Sequence, residues 1–286
     1  MFWKNFSQSQ CCLCGAATAN LTGEHKIKAS ALKAQFGRRD RLLVGVSGGS
    51  AKMKSAQSTN SKHLKFKASL CEDCNSSRTQ EPDREFDRFN ELAHAALARD
   101  EDPANVFLLL RYAQDSEPYL NVFRYFAKVL CCQIAAVEGP SLISLAKFAI
   151  NLSSSNRIWL EVKRDPVYSE FAAQIGEHGY AAHGGLVAYF DKISHAPNAF
   201  HSTQTNGPLQ YVFHTRLNDA ERSELLATQT HFSEWCRARA KENLADPVSE
   251  KVWERLGLAG ASAAIADLQN NHPSHAPPKP AGKVSE

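Results

Sequence analysis

Two cysteine pairs, Cys11-x2-Cys14 and Cys71-x2-Cys74, most constrain what this chain can fold into. A CxxC turn sets two sulfurs on one side of a tight knuckle, and two knuckles supply the four soft ligands of a tetrahedral Zn2+. Such an ion ties distant segments together and contributes folding free energy of order 10 kcal/mol. The competing readings are a redox CxxC and buried thiols without metal. Cys12 adjoins the first pair, so the spacing alone leaves open whether Cys11 or Cys12 completes that knuckle. Cys131, Cys132 and Cys236 fall within helical patterns and read as core residues.

Residues 15–70 separate the knuckles, a span far longer than the roughly 15–20 residues of a compact zinc ribbon. Three features occupy it. Glu24 and His25 form an adjacent acid-imidazole pair, "KHLKFKASL" alternates in the manner of a half-exposed strand, and a basic stretch lies between. Asn75 follows directly on the second knuckle. Together they suggest a ββα-metal arrangement, treble-clef-like, in which a strand ends in the acid-histidine pair and a helix presents an amide or imidazole to the same metal. From residue 26 to residue 67, eleven lysines and arginines face one acid, Asp40. That block is the electrostatic footprint of a polyanion-binding surface, with a solvated lysine-rich loop as the plainer reading. Lys26, Lys28, Arg38, Arg39, Arg41, Lys65, Lys67 and Arg78 are the candidate nucleic-acid contacts.

No apolar run approaches the roughly 20 residues of a membrane helix, and "MFWKNFSQSQ" lacks a signal-peptide core. A cytoplasmic, reducing location with no membrane association follows as the expectation, and there eight cysteines point to metal rather than disulfides.

The fold class expected is α+β: an N-terminal zinc finger, then a mostly helical region with a small sheet. Residues 31–60 read as a basic, glycine-rich loop. Phe86, Phe89, Leu92, Ala93 and Ala96 mark one face of a long helix. Residues 104–113, 118–135 and the segment "SLISLAKFAINL" read as further helices. "RIWLEVKRD", "GGLVAYFDKI" and "PLQYVFHTRL" read as strands. A helix follows from Asn218, the N-cap, with Glu221 closing a capping box. The proline-rich residues 269–286 are expected to be disordered. The organisation expected is residues 1–95 as a nuclease domain with structural zinc and residues 96–268 as an accessory domain.

Residues 11–90, through "CCLC", "GEHKIKAS" and "CEDCNSSRTQEPDREFDRF", resemble the zinc-stapled HNH endonucleases, and among them the phage junction-resolving type. The resemblance implies a metal-dependent enzyme that hydrolyses phosphodiester bonds in DNA. It implies His25 as general base and Glu24 with Asn75 as holders of a catalytic Mg2+ or Mn2+, beside a structural Zn2+ on Cys11, Cys14, Cys71 and Cys74. An imidazole with an ordinary pKa near 6.5 suits proton abstraction from water. The chain departs from the family pattern in having Glu24 for an aspartate and no histidine after Asn75. A non-catalytic zinc-stapled module that binds nucleic acid is the alternative. DNA, or RNA, is the expected partner, with a homodimer or protein partner engaged through residues 96–268.

Overall fold

The computed structural model describes residues 10–17, 20–37, 42–44, 54–56, 58–166, 168–169, 180–190 and 196–245. Near the N-terminus, β1 (Leu21–His25) is followed by α1 (Ala29–Phe36) and a short antiparallel pair, β2 (Leu42–Val44) with β3 (Lys54–Ala56). Strand β4 (Lys65–Cys71) returns antiparallel to β1, and a π-turn (Asp73–Arg78) leads into α2 (Gln80–Ala98).

The basic segment is thus more structured than its composition suggests. Ala31 and Leu32 are buried on α1, and Ala56 and Thr59 are buried further along. Small apolar residues spaced between lysines suffice to anchor short elements that a glycine-and-charge count misses. Residues 38–41 and 45–53, including Arg38, Arg39 and Arg41, lie outside the described residues, as does the tail 269–286.

The centre of the molecule is α3 (Glu117–Ala136), on which every residue from Val122 to Ala135 is buried. A helix buried all round must be enclosed by other elements. Here they are α2, α4 (Ile143–Ala149), β4 and the main sheet. The apolar face expected on α2 docks here: Phe86 stacks on Tyr125 at 3.8 Å between ring centroids and meets Phe126 edge-on at 5.5 Å. Full burial of each such side chain stabilises by about 1.5–3 kcal/mol. Residues 104–113, expected as an α-helix, instead form two 3-10 turns, Pro103–Leu108 and Leu110–Tyr112. Asp102 caps the first by accepting from the Ala104 amide, and Leu108 and Leu110 are left exposed.

Five antiparallel strands form the main sheet, in the order β5 (Ile158–Arg164), β9 (Leu209–Arg216), β8 (Pro197–Asn206), β6 (Ala181–His183), with β7 (Val187–Phe190) also paired to β8. The expected strands are β5, β7 and β9. The long β8 at the centre escapes the sequence pattern because "PNAFHSTQTN" opens on proline and buries polar residues. Ser202, Gln204 and Asn206 are fully or almost fully buried. Gln133 of α3 donates to Ser202 Oγ at 2.6 Å, and Asn206 lies 3.5 Å from Asn90 of α2, so helix side chains replace the water these groups would lose. Beyond the sheet, α5 (Asp219–Thr228) and α6 (Thr230–Ala245) divide at Gln229 the single helix expected there. The capping box is present: Asn218 Oδ1 accepts from the Glu221 amide at 2.8 Å, and Glu221 Oε2 accepts from the Asn218 amide at 3.0 Å. One continuous apolar cluster runs from Cys11 to Cys236 and crosses residue 95, which lies within α2.

Candidate metal centre and the adjoining histidine

The first knuckle is closed by the Cys11 amide donating to Ala16 O at 2.9 Å and the Gly15 amide to Cys11 O at 2.8 Å. Gly15 has φ 73°, a left-handed conformation that a residue without Cβ adopts at no steric cost. The second knuckle joins the end of β4 to the π-turn, where the Cys74 amide donates to Cys71 Sγ at 3.4 Å and Thr79 Oγ1 closes the turn onto Cys74 O at 2.8 Å. The sulfurs of Cys11, Cys14, Cys71 and Cys74 all lie within 4.8 Å of one another, and those of Cys14 and Cys71 are 3.7 Å apart. A tetrahedron with Zn–S bonds of about 2.3 Å has S···S edges of about 3.8 Å, so these thiols fit zinc.

Cys11 therefore completes the first knuckle, and Cys12 turns away. Its sulfur lies 3.7 Å from that of Cys132 on α3, in the core. The hydrogen bond with Cys74 draws the Cys11 thiol down to about 4, and Cys74, which supplies that proton, shifts upward. Cys12 ends above its ordinary value because burial and neighbouring thiols outweigh the lowering contact with Cys132.

The ladder between β1 and β4 is irregular. Gly23 pairs with Ser69 but His25 pairs with Lys65, so Phe66, Lys67 and Ala68 stand opposite Glu24 alone. Adjacent strand residues point to opposite faces. Glu24 is buried against α3, where its Oε1 lies 3.1 Å from Lys128 Nζ. The same ammonium, 1% exposed, is 2.6 Å from Asp83 Oδ1 of α2. Lys28 reinforces this junction, donating to the Asp83 carbonyl and lying 2.6 Å from Asp87. Burial works against the charged Lys128, but Glu24 and Asp83 hold it above the usual lysine range. Burial likewise pushes the Asp83 carboxyl up, with Lys128 opposing.

His25 takes the other face. Its Nε2 lies 3.0 Å from Thr59 O, and a carbonyl only accepts, so Nε2 carries the proton and Nδ1 keeps its lone pair in the neutral ring. Burial lowers the His25 pKa first and Lys65 second, while the Thr59 contact raises it and Lys128 and Lys33 lower it further. The ring is therefore neutral at pH 7. Lys26 is also lowered, by burial and then by Lys67. Among the described residues, Lys33, Lys65 and Lys67 make no ion pair.

Asn75 donates from Nδ2 to Thr22 Oγ1 at 2.8 Å. The Thr22 hydroxyl already gives its proton to Leu70 O at 3.2 Å, so it can only accept from the amide. That fixes which way the amide points and leaves Asn75 Oδ1 with its lone pairs uncommitted among the described residues.

The candidate nucleic-acid contacts divide accordingly. Lys65 stands opposite His25 in the ladder, Lys26 follows His25 in the chain and is within electrostatic reach of Lys67, Lys28 belongs to the Asp83–Asp87 junction and Arg78 is 2.5 Å from Asp73. Sequence reasoning missed Lys128, Thr22 and Thr59. A lone lysine inside the apolar run "VFRYFAKVLCC" was the available signal for the first, since a cation there needs buried carboxylates. Nothing local marks the other two.

The chain is an α+β protein with a four-thiol centre able to hold a metal ion such as zinc. No protein-family model, characterised protein or solved structure matches it. No helix among the described residues is long and apolar enough to cross a membrane.

Proposed function

We propose that the protein is a metal-dependent HNH-type endonuclease that hydrolyses phosphodiester bonds in DNA, built on a ββα-metal finger formed by β1, β4 and α2. The observation that supports this best is His25: a neutral imidazole oriented by Thr59, with Nδ1 unprotonated, near Lys65 and Lys33, which have no carboxylate partner among the described residues. Held beside a phosphate, Nδ1 accepts a proton from water, and Lys26, Lys65 and Lys67 position the anionic backbone.

A hard divalent cation takes oxygen ligands, and Asn75 and Glu24 would be the residues to hold it. Asn75 offers Oδ1, fixed by Thr22, and Glu24 offers the oxygen not engaged by Lys128. When bound, Mg2+ or Mn2+ supplies charge stabilisation at the phosphoryl group and the leaving 3′-oxygen. Zinc on the four thiolates keeps the finger folded. The Glu24–Lys128 pair favours a second reading, a non-catalytic zinc-stapled module in which Glu24 is structural.

Nicking of supercoiled plasmid with Mg2+ or Mn2+ separates the two. The nuclease reading expects nicking by the wild type and its loss in Asn75→Ala and in His25→Ala at matched DNA binding. Binding without nicking under either ion supports the module.

A further inference from the structure

The main sheet is covered on its inner face by α2 and α3. On the outer face a row of rings crosses the strands. Trp159 of β5 stands opposite His214 of β9, their rings parallel within 4° and 5.4 Å apart. His214 stands opposite His201 of β8, and His201 meets Tyr189 of β7 at 5.6 Å. The Arg216 guanidinium lies 5.7 Å from the centre of the Trp159 ring. Trp159 and Tyr189 are each 51% exposed, far more than aromatics that serve a core. Neighbouring strands are about 4.8 Å apart, so a row over four strands spans about 14 Å.

The charges of this face have one sign left over. Among the described strand residues, its single carboxylate, Glu161, is 3.1 Å from Lys163, and Arg216 has no acidic partner. Burial lowers the pKa of both His201 and His214, so the two imidazoles are neutral, flat surfaces at pH 7. A partner for such a face carries flat apolar units and negative charge together. Duplex DNA hides its bases in its own stack, and an acidic peptide carries a ring only where its sequence happens to supply one, not at every charged unit. Single-stranded DNA has both features in free form, and sheet aromatics stack two or three bases over such a distance.

We propose that the outer face of the main sheet binds single-stranded DNA, with bases stacking on Trp159 and Tyr189 at the two ends of the row and a phosphate meeting Arg216. This rests on the nuclease reading only for its consequence, which is a substrate with an unpaired segment. The sheet edge at β6 adjoins the finger: His183 meets Phe66 of β4 at 5.2 Å, and Gln35 of α1 donates to Tyr180 O at 3.1 Å. A strand lying on the row is therefore carried by the same body that presents His25.

The test is fluorescence anisotropy of the full zinc-loaded chain with a labelled oligothymidylate of about ten nucleotides, a matching duplex and the corresponding oligouridylate. Trp159→Ala and Tyr189→Ala should each weaken oligothymidylate binding by roughly 5- to 150-fold, with Trp159→Phe retaining most of it and duplex binding unchanged. Circular-dichroism melts matched to the wild type establish that the variants fold. Equal affinity of wild type and both alanine variants for the oligothymidylate overturns the proposal, and so does tighter capture of the oligouridylate. A Trp159→Ala change that converts a dimer to a monomer in sedimentation, without altering oligonucleotide affinity, also overturns it and makes the face a contact between copies. Ring-dependent binding without any nicking supports the sheet surface and counts against the nuclease reading.

Discussion

Replacing Lys128 by methionine tests whether the cation between Glu24 and Asp83 holds the finger onto α3. Methionine keeps the apolar stem and removes the ammonium that in the wild type lies 3.1 Å from Glu24 and 2.6 Å from Asp83, leaving the two carboxylates without it. Breaking a buried pair by deleting one partner costs about 3–5 kcal/mol, because the remaining charge is neither solvated nor paired. For a chain of this size, each kcal/mol moves the midpoint by about 2–4 °C, so a fall of roughly 6–20 °C is expected. The pH dependence carries a sign. Lys128 has a folded pKa above its unfolded one, so its contribution in the wild type is fully present below about pH 10 and lost at higher pH. Asp83 has a raised folded pKa, and removing Lys128 raises it further, so the variant's deficit should be smaller at pH 5 than at pH 8. Adding Glu24→Gln and Asp83→Asn to the methionine variant should recover part of the loss. Urea melts at the two pH values measure all of this. A Lys128→Met variant within about 1 kcal/mol of wild type at pH 8, or a deficit that grows as the pH falls, refutes the reasoning.

Metal analysis should find one zinc per chain, and Cys74→Ser should lower zinc content and thermal stability together while Cys12→Ser leaves stoichiometry unchanged, since Cys12 faces Cys132. If Cys12→Ser releases the metal instead, the ligand assignment fails. The cleavage rate should hold on the acid side to below the ordinary histidine value of about 6.5, because burial and the nearby lysines keep His25 neutral there, and an NMR titration of the ring should give the same midpoint. Thr22→Val removes the acceptor that orients Asn75 and should reduce the cleavage rate by roughly tenfold with DNA affinity unchanged, an effect that single-turnover kinetics resolves.

The cysteine knuckles were legible because a tetrahedral metal site demands a fixed spacing, and the long helices because their apolar residues recur with the helical period. Strand β8 was not, since its inner face carries Ser202, Gln204 and Asn206 and only Gln133, Asn90 and Tyr125, far away in sequence, make those residues acceptable in a core. The 3-10 turns at 103–112 and the break at Gln229 follow from docking that no local period encodes. At the proposed site, Glu24, His25 and Asn75 were nameable from their order between the knuckles together with the family resemblance. Their surroundings were not: Lys128, Thr59 and Thr22 bear on them only after the chain has folded.

His25 is proposed as the group that takes a proton from water, and single-turnover cleavage by wild type and His25→Ala, at equal fractions of bound DNA with Mg2+ or Mn2+, is the decisive measurement. The prediction is unchanged affinity and a cleavage rate lower by roughly 10²- to 10⁴-fold in the variant. Equal rates for the two proteins, or binding by both with no cleavage by either, contradict it.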